Sequence, residues 1–161
     1  MIFSKLNGLG NDFVITDDRE NKYTENLDEM ARKLCHRRTG IGADGLVFVR
    51  NSETCDVRMQ IFNSDGSEAE MCGNGVRRFA KYVYDKGIFP HERMSVETLA
   101  GPMIIDLTVK DGVAVAAKVD MGVPETRREF IPVAGTGECQ LEKLAAVDKE
   151  FTFSTILLGV P

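Results

Sequence analysis

The stretch that decides the fold runs from Phe62 to Phe79 and reads FNSDGSEAEMCGNGVRRF. A strand pattern ends there in a polar loop, and an amphipathic helix begins directly after Cys72. The first N–H groups of a helix lack intrahelical acceptors, and the helix dipole adds positive partial charge. A cysteine in that position is favoured as the thiolate. The stretch therefore predicts a base or nucleophile beside a site for a carboxylate or phosphate.

A purely structural role is the simpler alternative for Cys72, because free cysteines are most often buried as small hydrophobic residues. The flanking sequence argues against that role. Residues 63–68 are polar and show no apolar periodicity, so no neighbouring pattern requires a hydrophobic residue at position 72. Asn74 also places amide donors and an acceptor in a glycine-lined turn. We therefore interpret Cys72 as functional.

Composition limits the class of protein. A chain of 161 residues with 43% hydrophobic residues can form one domain, or one domain and part of another. No apolar run is long enough to cross a membrane, and the first residues lack the pattern of a signal peptide. The net charge of −5 argues against nucleic-acid binding. These features predict a cytoplasmic protein with neither a membrane nor a nucleic-acid partner.

The cysteines do not form a recognisable metal or disulfide pattern. They lie at positions 35, 55, 72 and 139, without a Cys-x-x-Cys pair, and the chain has only two histidines. We therefore expect reduced thiols and no metal site. Cys35 and Cys55 fall on apolar faces of a predicted helix and a predicted strand, which indicates core positions. Cys139 follows a glycine turn but precedes no convincing amphipathic helix, which disfavours a catalytic role.

Hydrophobic periodicity predicts an α+β fold with helices on a mostly antiparallel sheet. One helix is expected near Leu27–Cys35, with Asn26 as its N-cap and Glu29 as the capping partner. A second helix is expected from Asn74 to about Lys86. The predicted strands are Ile2–Asn7, Phe13–Thr16, Leu46–Val49, Cys55–Ile61, Met94–Thr98, Met103–Val109 and Val113–Val119.

The sequence changes character after Gly122, where a charged, proline-containing segment begins. We expect one lobe over residues 1–120 and the start of another over residues 121–161. In the second region, Leu141–Val147 suggests a short helix and Phe151–Leu158 a strand. Because the chain stops directly after that apolar strand, we expect it to be a fragment of a longer protein.

Three features of the sequence suggest a binding site but are weak evidence for one. The segment Gly40–Gly45 matches G-x-G-x-x-G, but it follows a helix and precedes a strand, the reverse of a dinucleotide site. Residues 63–66 resemble part of a calcium loop and lack its remaining ligands. The basic side chains Arg77, Arg78 and Lys81 are best explained as a solvated helix face.

With Cys72 and its loop placed, the chain resembles the N-terminal part of the diaminopimelate epimerase family. The matching segments are Phe3–Phe13, Arg38–Gly45 and Phe62–Gly75, followed by Met121-Gly122. Together they span about the first 120 residues. The final Leu158–Pro161 is similar to a segment of the family that continues to a histidine.

The resemblance implies a lobe in which a mostly antiparallel sheet wraps around a central helix, with two pseudo-symmetric lobes in the full enzyme. It implies epimerisation of LL- to meso-2,6-diaminopimelate by two cysteines, without a cofactor, in a homodimer. Cys72 would be one catalytic thiol. Gly73 and Asn74 would donate backbone hydrogen bonds to the substrate carboxylate, and Asn11 and Asn63 would hydrogen-bond the substrate.

The second catalytic cysteine of the family, and its substrate-binding Glu-Arg pair, have no counterpart before Pro161, so we expect the isolated chain to be inactive. Three alternatives remain open. The first is a proline racemase-like or phenazine-type isomerase of the same fold. The second is a non-catalytic substrate-binding half-lobe, and the third is a thiol hydrolase. The hydrolase lacks a well-placed histidine, because His36 ends a helix and His91 lies in a turn.

Overall fold

The computed structural model describes residues 1–158, in which a first compact unit spans Met1–Asp120 and a second begins at Met121. The first unit contains an eight-stranded sheet and two helices. In chain order its elements are β1 Ser4–Gly8, β2 Asn11–Asp17, α1 Leu27–Cys35, β3 Gly45–Arg50, β4 Val57–Asn63, β5 Glu68–Ala69, α2 Gly73–Asp85, β6 Arg93–Thr98, β7 Gly101–Lys110 and β8 Val113–Val119.

The sheet runs in the order β1-β2-β3-β4-β6-β7-β8, with the short β5 paired to β4. The β2–β3 and β4–β6 pairs are parallel, and the other pairs are antiparallel. Helix α2 contacts both β1 and β8, which are the two ends of this order. The sheet therefore curls around α2, and the predicted α+β fold with a central helix is confirmed.

The main core lies between α2 and the concave face of the sheet. Val76, Phe79, Ala80 and Val83 of α2 are fully buried, as the apolar spacing of the helix predicts. Burial of side chains of this size stabilises the fold by roughly 1.5–3 kcal/mol each for the larger ones. This packing fixes the helix axis and hence the position of its N-terminus.

Helix α1 covers the other face of the sheet. A second cluster joins Ala31 and Cys35 of the helix to Leu46, Phe48 and other buried residues of the strands. Cys35 is a core residue, as predicted, and burial raises the pKa of its thiol to about 11. Because helices pack on both faces, β3 is buried along its whole length.

Three local predictions in the first unit are wrong. Asn26 adopts a left-handed conformation (φ 53°) and makes no side-chain cap, while its expected partner Glu29 pairs with Lys33 instead. Cys55 is half-buried rather than a core residue, because it precedes β4 in a turn where Ser52 accepts its backbone N–H. The first strand also begins at Ser4, two residues later than predicted, and leaves Ile2 exposed.

The second unit contains a short 3₁₀ turn, Arg128–Phe130, and a hairpin of β9, Glu142–Ala146, and β10, Lys149–Phe153. The predicted helix at Leu141–Val147 is therefore wrong. Its residues have high helix propensity, but pairing with β10 satisfies their backbone groups as a strand. The strand predicted for Phe151–Leu158 ends at Phe153, and beyond it Leu157 makes only an isolated bridge with Glu125. The predicted match at Leu158–Pro161 lies mostly outside the described residues.

Candidate active site

Cys72 is the N-cap residue of α2. Its backbone is extended (φ −141°, ψ 111°), and its Sγ accepts a hydrogen bond from the backbone N–H of Gly75 at 3.3 Å. The thiol is half-buried, so the sulfur is held against the helix end while part of the residue stays accessible. This geometry places Sγ at the positive end of the helix dipole.

The first turn of α2 closes tightly on the thiol because it contains glycine. A Cβ placed on Gly75 would lie 3.2 Å from Cβ and 3.5 Å from Sγ of Cys72, and 3.3 Å from Cδ1 of Ile61. By helix geometry, the N–H groups of Gly73 and Asn74 have no intrahelical acceptor. These two donors lie next to Cys72 at the helix N-terminus, a position that suits an anion.

Strand β3 brings the two predicted substrate asparagines to one edge of the sheet. Its first residue, Gly45, pairs with Phe13 in the neighbouring β2 and with Asn63 at the end of β4. Asn11, at the start of β2, donates from Nδ2 to Asp44 Oδ2 at 3.0 Å. The backbone N–H of Ser64, directly after Asn63, donates to the carbonyl of Asp44 at 3.1 Å. The structure thus joins the Asn11 and Asn63 segments through Asp44.

Strand β4 also connects this edge to Cys72. Ala69 of β5 pairs with Ile61 of β4, and the chain reaches Cys72 three residues after β5. Asn63 is exposed, and its Nδ2 donates to Ser67 Oγ at 2.9 Å. Asn74 directs its side-chain oxygen to Arg77 and its carbonyl to Arg78.

Sequence reasoning missed an ionic cluster beneath Asn11. Arg37 Nη2 lies 2.8 Å from Asp12 Oδ1 and 2.7 Å from Asp44 Oδ1, and Lys5 Nζ lies 3.1 Å from Asp12 Oδ2. Arg37 is the main cause that holds the pKa of Asp12 well below its usual range. Asp12 and Asp44 lie within the two segments, Phe3–Phe13 and Arg38–Gly45, that resemble the family. Only the pairing of β2 with β3 shows that they share Arg37 as a partner.

The basic residues of α2 are more enclosed than a solvated face would be. Arg77, Arg78 and Lys81 line a groove of about 200 Å³ against β8. Burial is the main cause that lowers the pKa of Arg78, whose guanidinium lies directly over Gly8. Lys81 donates to the carbonyl of Ala114 at 2.6 Å. The expectation of a solvated face is wrong for this part of the helix.

Cys72 differs from the other three thiols in its position as the N-cap of α2. Cys35 and Cys139 are buried, and Cys55 is half-buried before β4. Within residues 1–158, no group of three or more histidine, cysteine, aspartate or glutamate side chains is arranged to hold a metal ion. Neither helix in that range has the length and apolar character needed to cross a membrane.

Comparison with known proteins decides the family. The family model described as diaminopimelate epimerase matches residues 3–126. The chain belongs to the diaminopimelate epimerase family. It is 50% identical over 150 residues to the diaminopimelate epimerase of Moorella thermoacetica, covering 93% of this chain and 54% of the relative. It is 46% identical over 162 residues to that of Caldanaerobacter subterraneus subsp. tengcongensis, covering 100% of this chain and 58% of the relative.

Solved structures outside the epimerases of diaminopimelate share the fold. A hydroxyproline epimerase from Agrobacterium vitis, with bound trans-4-hydroxy-L-proline, aligns with a TM-score of 0.62 at 13% identity, over 96% of this chain and 48% of that one. A phenazine biosynthesis protein from Bacillus anthracis aligns with a TM-score of 0.60 at 23% identity, over 78% of this chain and 40% of that one. The chain spans little more than half the length of the curated family members it matches.

Proposed function

We propose that the protein containing this chain interconverts LL- and meso-2,6-diaminopimelate, for lysine and peptidoglycan precursor synthesis, with Cys72 as one of two catalytic thiols. The observation that carries the proposal is the position of Cys72 Sγ, held at the N-terminus of α2 by the Gly75 N–H in a member of this family. Inverting an α-carbon requires a base on one face and an acid on the other.

In the proposed reaction, one thiolate removes the α-proton and becomes a thiol. The opposing thiol delivers its proton to the other face and becomes a thiolate, so the charge of the pair is conserved. The negative charge that develops on the substrate spreads into its α-carboxylate. The N–H groups of Gly73 and Asn74 stabilise that charge as donors at a helix N-terminus, so the reaction needs no cofactor as electron sink. Asn11 and Asn63 hydrogen-bond the substrate.

The whole protein is proposed to have two similar lobes. Residues 1–120 form the first lobe and residues 121–161 begin the second, which by resemblance supplies the second cysteine and a Glu-Arg pair. We further propose a cytoplasmic homodimer. The isolated 161-residue chain is expected to lack epimerase activity, because one thiol can serve only one face of the α-carbon.

The test uses the full-length protein in D₂O with LL-2,6-diaminopimelate. Formation of the meso isomer with one deuterium at the inverted α-carbon, followed by NMR and mass spectrometry, supports the two-base reaction. Cys72→Ser should abolish both signals, and Cys55→Ser is the matched control at a half-buried cysteine outside the site. A near-normal rate for Cys72→Ser contradicts the role of Cys72.

Two rival functions are separated by the same assay. Turnover of proline or hydroxyproline in place of diaminopimelate would assign the chain's parent protein to another isomerase of this fold. Binding of diaminopimelate without deuterium incorporation would indicate a substrate-binding lobe instead of an enzyme.

A further inference from the structure

Asp44 stands between Asn11 and Arg37 and contacts both through different oxygens. Its Oδ2 accepts from Asn11 Nδ2 at 3.0 Å and from the backbone N–H of Asp12 at 2.9 Å. Its Oδ1 accepts from Arg37 Nη2 at 2.7 Å. Both oxygens of the Asp44 carboxylate therefore accept hydrogen bonds, one from Asn11 and the Asp12 backbone and the other from Arg37.

These contacts fix which end of the Asn11 amide points outward. An ionised carboxylate only accepts hydrogen bonds, so the Asn11 amide must turn its NH₂ group toward Asp44. Its Oδ1 is then directed away from Asp44. In the described part of the chain, Oδ1 of Asn11 has no hydrogen-bond partner. Asn11 thus offers an acceptor at the end of the sheet that also carries Asn63.

The backbone holds this arrangement rigidly. The N–H of Asp44 donates to the carbonyl of Asp12 at 2.9 Å and to Oδ1 of Asp12 at 3.1 Å, while Asp44 accepts the Asp12 N–H in return. Arg37 binds both carboxylates, and the Ser64 N–H adds the loop after Asn63 to the same residue. A side chain so constrained can set the orientation of its neighbour.

We propose that Asp44 is a positioning residue that locks the Asn11 amide with Oδ1 outward, so that Asn11 accepts a hydrogen bond from an ammonium group of the substrate. Arg37 holds Asp44 in that orientation. The proposal rests on the proposed function for the identity of the substrate, and on the contacts of Asp44 for the orientation of the amide.

The first test is Asp44→Asn in the full-length protein. Arg37 has only donors, so the new amide turns its oxygen to Arg37 and its NH₂ group to Asn11. The hydrogen bond from the Asp12 N–H to Oδ2 is lost in this variant and equally in the double variant described below, so the comparison of the two variants isolates the orientation of residue 11. Asn11 must then turn its own oxygen inward and offer NH₂ to the ammonium group. We expect KM for LL-2,6-diaminopimelate to rise about tenfold or more, with a smaller change in kcat.

A reciprocal exchange distinguishes positioning from structural support. In the double variant Asn11→Asp with Asp44→Asn, the amide introduced at position 44 donates to one oxygen of the carboxylate introduced at position 11. The other oxygen of that carboxylate faces outward as an acceptor. KM should return to within about threefold of the original value. A KM for Asp44→Asn within twofold of the original, or a double variant no better than Asp44→Asn, overturns the proposal.

Asp56→Asn is the matched control. Asp56 Oδ2 also accepts a backbone N–H and a hydroxyl, both from Ser95 at 2.7 Å, and so joins two strands away from this edge. The same chemical change there should leave KM unaltered. An equal rise in KM for Asp56→Asn would show a general effect on the sheet and contradict a specific role for Asp44.

A readout without substrate separates this proposal from the proposed function. The side-chain NH₂ signals of Asn11, assigned in ¹⁵N NMR spectra of the full-length protein by their loss in Asn11→Asp, should exchange more rapidly with water in Asp44→Asn. If that change occurs in a protein that does not epimerise diaminopimelate, only the proposed function fails. If the Asn11 signals are unchanged, the positioning proposal fails whatever the activity.

Discussion

Replacing Cys72 with serine or alanine should separate its effect on stability from its effect on activity. Sγ of Cys72 caps α2 by accepting the Gly75 N–H at 3.3 Å, and a serine hydroxyl at the same N-cap position can accept that N–H in its place. Serine is among the preferred N-cap residues, whereas alanine leaves that N–H without its side-chain acceptor. A hydroxyl cannot replace a thiolate as the base at neutral pH, so neither variant should support the reaction.

The magnitudes follow from these two roles. Loss of an N-cap side chain costs about 0.5–2 kcal/mol, so Cys72→Ala should unfold with a free energy about 1 kcal/mol lower than that of Cys72→Ser. Removing a general base costs about 10²–10⁴-fold in rate, so both variants should fall by at least that range.

The assay compares urea unfolding of the full-length variants by circular dichroism with their rate of diaminopimelate epimerisation. Equal stability of the serine and alanine variants would refute the capping role of residue 72. A serine variant that keeps more than about a tenth of the original rate would refute its role as the base.

Four further predictions test the fold and the cluster. The salt bridge with Arg37 lowers the pKa of the Asp12 carboxyl in the folded protein. The salt bridge therefore stabilises the fold above the pKa that this carboxyl has in the unfolded chain, about 4, and the stabilisation is lost as the pH falls below that value. The free energy of unfolding in urea, measured at decreasing pH, should depend less on pH in Asp12→Asn. Gly45→Ala would place a Cβ 2.8 Å from the carbonyl oxygen of Phe62, a backbone atom that cannot easily move, and should cost about 1–3 kcal/mol in urea unfolding; an unchanged midpoint would contradict this. Phe79→Ala empties a fully buried site of α2 and should cost about 3–5 kcal/mol, and a loss below about 1 kcal/mol would show that the core collapses around it. The isolated 161-residue chain should give no meso product from LL-2,6-diaminopimelate, and any turnover would contradict the need for a second thiol.

Local patterns predict the helices well because burial and periodicity agree there. Helix α1 spans the predicted residues, and α2 buries the predicted face. The hairpin of β9 and β10 shows the opposite case. Its two-residue connection, Val147-Asp148, has positive φ at both residues, which suits a tight hairpin but is unusual for valine. The sequence therefore carries no turn signal, and the leucine, lysine and alanine content favours a helix that does not form.

The candidate site is predictable only in part for a similar reason. Cys72 and Asn74 are close in sequence, so their place at a helix start follows from local pattern. Asn11 and Asp44 are 33 residues apart, and their contact depends on β3 lying beside β2. No local pattern contains that pairing. Asn11 and Asp44 can each be recognised in the sequence segment that contains it, but the hydrogen bond between them exists only after the sheet has formed.

The burial of β3 also bears on how the sheet aligns. Leu46, Val47, Phe48 and Val49 are all fully buried, so sliding the strand by one residue would exchange its two faces without exposing a hydrophobic side chain. Hydrophobicity alone therefore does not select the alignment. The polar ends do: Asp44 meets its partners before the strand, and Arg50 at the strand's last residue forms a buried ion pair with Asp18.

Ionic contacts at both ends thus fix the register of β3 relative to its neighbouring strands. A slip of one residue would move each end about 3.3 Å from its partner, leaving the Arg50 and Asp18 charges buried and unpaired. Replacing both ends with apolar residues would preserve the drive to collapse while removing this penalty. The resulting chain would populate more than one strand alignment, and only one of these places Asn11 and Asn63 at the same edge.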